Sequence, residues 1–450
     1  MNQIFWIFIA ALMLAPVPFG MVYGIFQAGF AVIILSTAFI YCLKLTASRN
    51  QFPVSLYKFR WEVLAFLVVV FWGIFQLVQF TPQAWHHPLW MELDHLPTYQ
   101  VKGSVSLTPG AGIESIVRYV LYGVIFWFSL QWGRNRDKAC QIIWAIIFSA
   151  TACSFYGIVI YFGGYEKVLW VDKTRYLNDL TGTFINRNSF ATYAGMALTC
   201  ACGLYLRVIL RAIKSRRIGR DKALHIVQEV FLRGFPLLTC VVILVTALFL
   251  TNSRAGVMCS LISLGVLVFF MGFVNKISSR FYQIISCSLL FIIIGVFFLS
   301  GQGWMDRMSA TEMEREGRIQ IYTQTWNAIK QAPWTGYGMG SFEQTFPMFA
   351  DERTSHWRKA HNDWLEMIYD LGIPVAFLWF LLLSILTIRC LTGFFKRRRD
   401  KLYPLLGLCA AVLTGLHSLV DFSFQIPAIA ATYAAILGVG VAQSWSSLDE

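Results

Sequence analysis

Two arginines of this 450-residue chain stand where they would meet an anion. In T-G-T-F-I-N-R-N-S-F-A-T-Y, Arg187 falls just before an apolar run that reads as a helix, with Asn188 or Ser189 as its N-cap. In L-T-N-S-R-A-G, Arg254 opens a second helix behind the cap candidates Asn252 and Ser253. A helix N-terminus already carries partial positive charge and disfavours a further cation. A guanidinium there makes sense where an anion binds, because free backbone N–H groups and a forked donor together form a phosphate-binding arrangement. The alternative is that each Arg reaches lipid headgroups or pairs with a loop carboxylate.

A second set of residues could move a proton. A-H-N-D-W-L-E-M-I-Y-D-L-G-I-P puts His361 at the start of a helix, beside Asn362, Asp363 and Glu366. A histidine there can take a proton from a hydroxyl near neutral pH; the competing reading is a surface histidine that caps the helix. Upstream, Ile319, Tyr322, Trp326 and Ile329 recur at three- and four-residue spacing and predict a helix over 315–330 with one apolar face, Arg318 lying close to it. P-W-T-G-Y-G-M-G-S-F then breaks that helix in a glycine-rich turn. Glu114 and Arg118 are four apart and could simply pair. His417 and Asp421, also four apart, form either an intramembrane functional pair or a structural one. His86, His87 and His95, with Glu92 and Asp94, match no common zinc spacing, and packing with Trp85 and Trp90 is the better reading, so no metal site is expected.

These residues need elements to carry them, and the composition says which. The chain is 57% apolar and 14% charged, with mean hydropathy +0.58; soluble chains carry about 25% charged residues. Disorder, coiled coil, a secreted disulfide scaffold and a cytosolic enzyme are excluded. The expected fold is an all-α polytopic membrane protein of twelve spans: 4–19, 21–43, 61–80, 112–132, 141–162, 189–210, 235–251, 255–274, 281–300, 367–388, 402–418 and 425–444. No basic residue precedes the first apolar run, so it reads as a retained span, not a signal peptide. With the N-terminus inside, 23 of the 37 Lys and Arg fall on the inner side against seven of the 24 acidic residues. The net charge of +13 is therefore a topology signal, and nucleic acid is not needed to explain it. All ten cysteines fall in spans or at inner edges, so no disulfide and no cysteine metal site are expected. The chain reads as one membrane domain, 1–450, with an outer loop at 81–111, core spans carrying the arginines at 181–300, a large outer loop at 301–366 and C-terminal spans at 367–444. No G-x-x-x-x-G-K-[ST] is present, so nothing suggests ATP-driven transport, and no cofactor is expected.

Together G-T-F-I-N-R-N-S-F-A-T-Y, T-N-S-R-A-G, the Arg318 helix running into P-W-T-G-Y-G-M-G-S-F, H-N-D-W-L-E…L-G-I-P and H-S-L-V-D-F-S-F resemble the bacterial O-antigen ligase and polysaccharide polymerase superfamily over about residues 180–425. The resemblance implies a metal-independent glycosyltransferase of the bacterial inner membrane, working on the periplasmic face. Its donor would be a glycan on undecaprenyl diphosphate, and its acceptor a hydroxyl of a glycan or of lipid A-core. By position, Arg187 and Arg254 would hold the donor diphosphate, Arg318 would help orient it, and His361 would activate the acceptor. Arg118, Asn362, Glu366, His417 and Asp421 would support them. The form of the motifs is closest to polymerases of O-antigen and exopolysaccharide; ligation to lipid A-core is the near alternative, and a transporter or flippase of lipid-linked glycans the alternative from another class. Besides the membrane lipid, a chain-length regulator or other export proteins would be partners.

The expected topology is checked by cysteine labelling at Ser341 and Arg217. Opposite accessibility supports it, and labelling of both from one side overturns it.

Overall fold

The computed structural model describes residues 2–48, 52–93, 102–213, 221, 224–225, 227–275, 304–397 and 399–445. The helices are α1 (Asn2–Leu14), α2 (Gly24–Ala47), α3 (Arg60–Leu77), α4 (Leu89–Leu93), α5 (Pro109–Gly133), α6 (Arg136–Phe162), α7 (Arg187–Ile213), α8 (Phe235–Leu250), α9 (Arg254–Asn275), α10 (Trp304–Gln331), α11 (Phe342–Thr345), α12 (Asp363–Leu371), α13 (Ile373–Lys396), α14 (Leu402–His417) and α15 (Pro427–Ala442). One short antiparallel hairpin pairs Lys167 with Asp172 and Val168 with Val171. Among the described residues seven helices are long and apolar enough to cross a membrane, and four more (α1, α8, α14 and α15) are apolar but shorter. The chain is an all-α polytopic membrane protein. The expected span 281–300 and His95 lie outside the described residues; of the other eleven expected spans, ten overlap one α-helix each, and 367–388 is divided between α12 and α13.

The packing is that of a bundle in lipid. On α3, Trp61, Leu64, Leu67, Phe71 and Ile74 point outward and are exposed, as are Ile25, Val32 and Phe39 on α2. Outward apolar faces of this extent cannot face water. The interior is held by small residues: α15 is buried along its whole length, and a Cβ on Gly438 would stand 2.5 Å from the carbonyl oxygen of Phe126 on α5. Without a hydrophobic drive between helices in lipid, such close approach is what binds them.

The tenth expected span is displaced. Gly372, at φ +76, ends α12, and a separate membrane helix, α13, begins at Ile373. The break makes room for the glycine-rich turn: Ile373 N donates to Pro333 O at 2.8 Å, and a Cβ on Gly372 would lie 2.5 Å from Trp334 O. Gln76, fully buried on α3, ties the parts together. Its amide donates to Thr335 O at 2.8 Å and Asp370 O at 2.9 Å, and its side-chain oxygen accepts from Met339 N at 3.0 Å. Its backbone oxygen accepts from Ser106 N at 2.9 Å, fixing the 102–108 segment to the same point.

The expected helix at 315–330 is part of α10, but its buried face is turned from the expected one. Ile321, Thr325, Ala328 and Ile329 are buried, whereas Ile319 and Trp326 are 55% and 45% exposed. The rotation is set by polar contacts: Arg318 donates to Val420 O and Tyr322 to His361 O, which brings Ile321 and Thr325 inward.

Gly336, at φ +65, has the Asp370 carbonyl oxygen 2.4 Å from its would-be Cβ. Gly336→Ala should lower stability by about 1–3 kcal/mol from backbone strain alone, read as a fall in Tm. Gly29→Ala, on α2 with nothing near its would-be Cβ, should leave Tm unchanged or raise it. Equal losses in both would show that the turn is not strained in this way.

Candidate functional site

The two arginine segments are built into one another. Asn186 caps α7, its side chain accepting from Asn188 N at 2.8 Å, so Arg187 is the first helical residue; the expected caps Asn188 and Ser189 lie inside the helix. The cap one residue earlier frees the Asn188 side chain to accept from the Ser253 hydroxyl at 2.8 Å. Ser253 in turn caps α9, accepting from Gly256 N, and Arg254 is that helix's first residue. Asp179 bridges the two loops. It accepts from Arg187 at 2.6 Å through one oxygen and from Asn252 at 2.7 Å through the other. Arg187 thus pairs with a loop carboxylate and lies over the Tyr176 ring, yet its Nε is buried with no partner. Arg254 is exposed, and among the described residues it has no hydrogen-bond or ion-pair partner. The result is two guanidiniums on adjoining helix N-termini, with donors to spare.

His361 meets a carboxylate that lies sixty residues on. Its Nδ1 is 3.2 Å from Asp421 Oδ1, and its ring is edge-on to Trp357 and Phe422. The backbone of His361 is left-handed, at φ +50, and its carbonyl accepts from the Tyr322 hydroxyl at 2.9 Å. Burial pushes the Asp421 carboxyl up, but the hydrogen bond to His361 and the nearby His417 outweigh it, and the net shift is downward, so Asp421 is ionised. An ionised Asp on Nδ1 fixes the tautomer with Nδ1–H and leaves Nε2 as the free acceptor. His361 does not cap α12. Asn362 does, accepting from Leu365 N at 3.0 Å.

The expected pairing of His417 with Asp421 does not form. His417 Nδ1 goes to the Ser423 hydroxyl at 2.7 Å and to Thr192 at 3.1 Å, which leaves Asp421 for His361. The Thr192 contact matters for placement, because Thr192 is on α7, five residues beyond Arg187. It docks the 417–423 loop onto the arginine helix. Arg318 reaches the same loop at Val420 O. Glu114 and Arg118 do not pair either: Glu114 is exposed, and Arg118 donates to Ser115 at 2.7 Å. His86 bonds Thr81 at 2.8 Å, and His87 accepts from Leu89 N at 3.3 Å.

The carboxylates adjacent in sequence to His361 are used elsewhere. Asp363 accepts from the Ser418 hydroxyl at 2.7 Å and from Phe424 N at 2.9 Å, and burial pushes its carboxyl well up. Glu366 accepts from Ala360 N at 3.0 Å and is 3.6 Å from Lys359. Asp370, which the motif reading passed over, accepts from Gly340 N at 2.7 Å; burial and the charge of Glu366 push it up to about 8. Asp179 and the orienting role of Asp421 were also missed, since each acts across a long sequence separation with no local spacing to mark it.

Residues 239–380 match the family model described as O-antigen ligase, which bears out the resemblance to the O-antigen ligase and polysaccharide polymerase superfamily. The match takes in Arg254, Arg318 and His361 and ends before Asp421; Arg187 precedes it. No curated protein matches the chain. The family match supports an O-antigen ligase- or polymerase-type function in general.

Asp370 makes folding stability depend on pH. The folded protein keeps its proton up to about pH 8, whereas the unfolded chain releases it near the ordinary carboxylate value. Its contribution is therefore full in acid and lost as pH rises through about 8. Asp370→Asn keeps the acceptor for Gly340 N and should flatten the decline in Tm between about pH 4 and pH 8. A variant with the native pH profile would show that Asp370 is ionised in the folded protein.

Proposed function

We propose that this protein is a membrane glycosyltransferase of the O-antigen ligase type, acting on the periplasmic face of the bacterial inner membrane through a bundle of twelve spans. It moves a glycan from an undecaprenyl-diphosphate donor to the hydroxyl of another glycan and so polymerises O-antigen or exopolysaccharide. The observation that carries this reading is the His361–Asp421 contact on a loop that His417 docks onto α7, one of two adjoining helices that each begin with an arginine.

In this reading the donor diphosphate lies across Arg187 and Arg254. Nε of Arg187 is a buried donor awaiting an acceptor, and Arg254 is open to approach. Asp179 tempers the charge of Arg187 and holds its fork in place. His361 Nε2 takes the proton of the acceptor hydroxyl as its oxygen forms a bond to the donor sugar's anomeric carbon. The bond from that carbon to the diphosphate oxygen breaks, and the electron pair leaves with the diphosphate. The guanidiniums stabilise the charge that develops there, which is electrostatic stabilisation of the transition state. Asp421 stabilises the imidazolium that forms. Asp363 and Glu366, turned to other partners, do not compete for the ring.

The test uses purified protein, lipid-linked repeat units and a direct binding assay for the donor. His361→Ala should cut chain growth by about 10²–10⁴-fold with donor binding near native. Arg187→Ala and Arg254→Ala should weaken donor binding as well as turnover, with Lys restoring only part because an ammonium cannot make the bidentate contact. Full activity in both arginine-to-alanine variants, or in His361→Ala, would overturn the assignment.

A further inference from the structure

A pocket lies at the end of the bundle opposite the two arginines, between the C-terminal part of α2, the end of α5 and the start of α6. Tyr41, Gln131, Trp132, Arg134, Asn135 and Lys138 line it. The length of α6 sets the separation. Gly157 on α6 touches the segment before Arg187, its would-be Cβ lying 2.9 Å from the Gly182 Cα. From Lys138 to Gly157 the same helix rises about 28 Å at 1.5 Å per residue.

The charge of this pocket is one-sided. Its wall holds Arg134 and Lys138 and no acid. Lys138 has no carboxylate partner among the described residues, and its ammonium lies over the Phe5 ring, 5.3 Å from the centroid. Arg134 is fixed by the carbonyls of Ala442, at 3.4 Å, and Trp445, at 2.8 Å. Acids at this end have other places: Asp400 pairs with Arg136 at 3.1 Å, Glu62 pairs with Arg389, and Asp137 is exposed and off the pocket wall. The two amide oxygens on the wall are engaged as well. That of Gln131 accepts from Val54 N at 2.9 Å, and that of Asn135 from Asp137 N and Lys138 N at 2.9 and 3.1 Å.

Two of the lining residues carry a buried polar atom with no partner. Tyr41 Oη and Trp132 Nε1 make no hydrogen bond, although Tyr41 is fully buried and Trp132 only 3% exposed. Neither ring is free to swing in search of one. Trp132 is stacked on Phe128 at 4.5 Å with Phe5 edge-on at 5.3 Å, and Tyr41 stands edge-on to Trp132 at 5.4 Å. Buried donors without acceptors are rare in folded proteins. Two of them on neighbouring rings, on a wall of positive charge, call for an anion.

We propose that this pocket is a phosphate-binding site, where the Lys138 ammonium, the Tyr41 hydroxyl and the Trp132 indole N–H donate to the oxygens of one phosphate group. A phosphate carries several acceptor oxygens in one group and so serves all three donors, each bond strengthened by charge. Tyr and Trp near helix ends are also the residues found at headgroup level in a membrane. The phosphate ester of a lipid headgroup and free phosphate share the required chemistry. Occupied, the site ties the ends of three helices to one charge and stabilises the bundle by mass action.

The experiment takes the full chain in an uncharged detergent, stripped of lipid. It is titrated with dioleoyl phosphatidylglycerol, with dioleoylglycerol, which lacks the phosphate, and with inorganic phosphate. Tm and native mass spectrometry read the binding. Phosphatidylglycerol should raise Tm saturably and dioleoylglycerol should not; a saturable rise with inorganic phosphate as well would make the ligand a phosphate from either source. Lys138→Met and Tyr41→Phe should each weaken binding about tenfold or more, the loss expected of a hydrogen bond to a charged group. Lys396→Met, at an exposed position on the same end of the bundle, should leave it unchanged. In the stripped protein Tyr41→Phe should keep the native Tm or raise it, because the hydroxyl has no hydrogen bond to lose. A lower Tm there would reveal a structural partner and overturn the proposal. So would native affinity in Tyr41→Phe, equal weakening in Lys396→Met, equal stabilisation by dioleoylglycerol, or no rise in Tm with either phosphate compound.

Discussion

One side-chain amide, that of Gln76, holds the polar end of this bundle together. Three of its four hydrogen-bonding positions go to backbone groups of two segments more than 250 residues away, and its own carbonyl fixes a third segment. Where chain leaves a membrane helix and folds back over the bundle, its peptide groups have no ladder to join and little water to reach. Gln76 supplies what the ladder would have. Remove it and the glycine turn, the end of α12 and the 102–108 segment lose their common point, and with them the base at the other end of α12.

Three carboxyls, Asp421, Asp363 and Asp370, are shifted in opposite directions by their surroundings. Asp421 is buried but faces His361 and is held as the anion; Asp363 and Asp370 are buried among backbone donors and another carboxylate, and their carboxyls are pushed up. Residue type alone does not decide which of these acids can steady a cation and which can donate a hydrogen bond. Partners decide it.

The same point explains what was legible in the sequence. Helices as long apolar runs were legible because hydropathy is a local property, and so were Arg187, Arg254 and His361, each marked by its position against a helix start. Asp421 was visible only as a neighbour of His417, four residues away, because i, i+4 spacing suggests a pair; in the fold the Ser423 and Thr192 hydroxyls take His417, and Asp421 turns to a histidine sixty residues back. Arg118 misled in the same way, through Glu114. The rotation of α10 was misread because its apolar spacing fits two faces, and hydrogen bonds from Arg318 and Tyr322 to distant carbonyls choose between them. The break at Gly372 was passed over because the apolar run from Met367 continues across it, interrupted on that side only by Asp370.

His361 is held at φ +50, a conformation that an L side chain enters only at a loss of about 1–2 kcal/mol and that glycine enters freely. At this one position, stability and chemistry therefore select different residues. A lineage that no longer needed the imidazole would gain stability by drifting to glycine or asparagine here while the rest of the bundle stayed intact. Retention of a strained histidine at the start of α12 can thus be read, in any related chain, as a mark that the site is still under selection for its work.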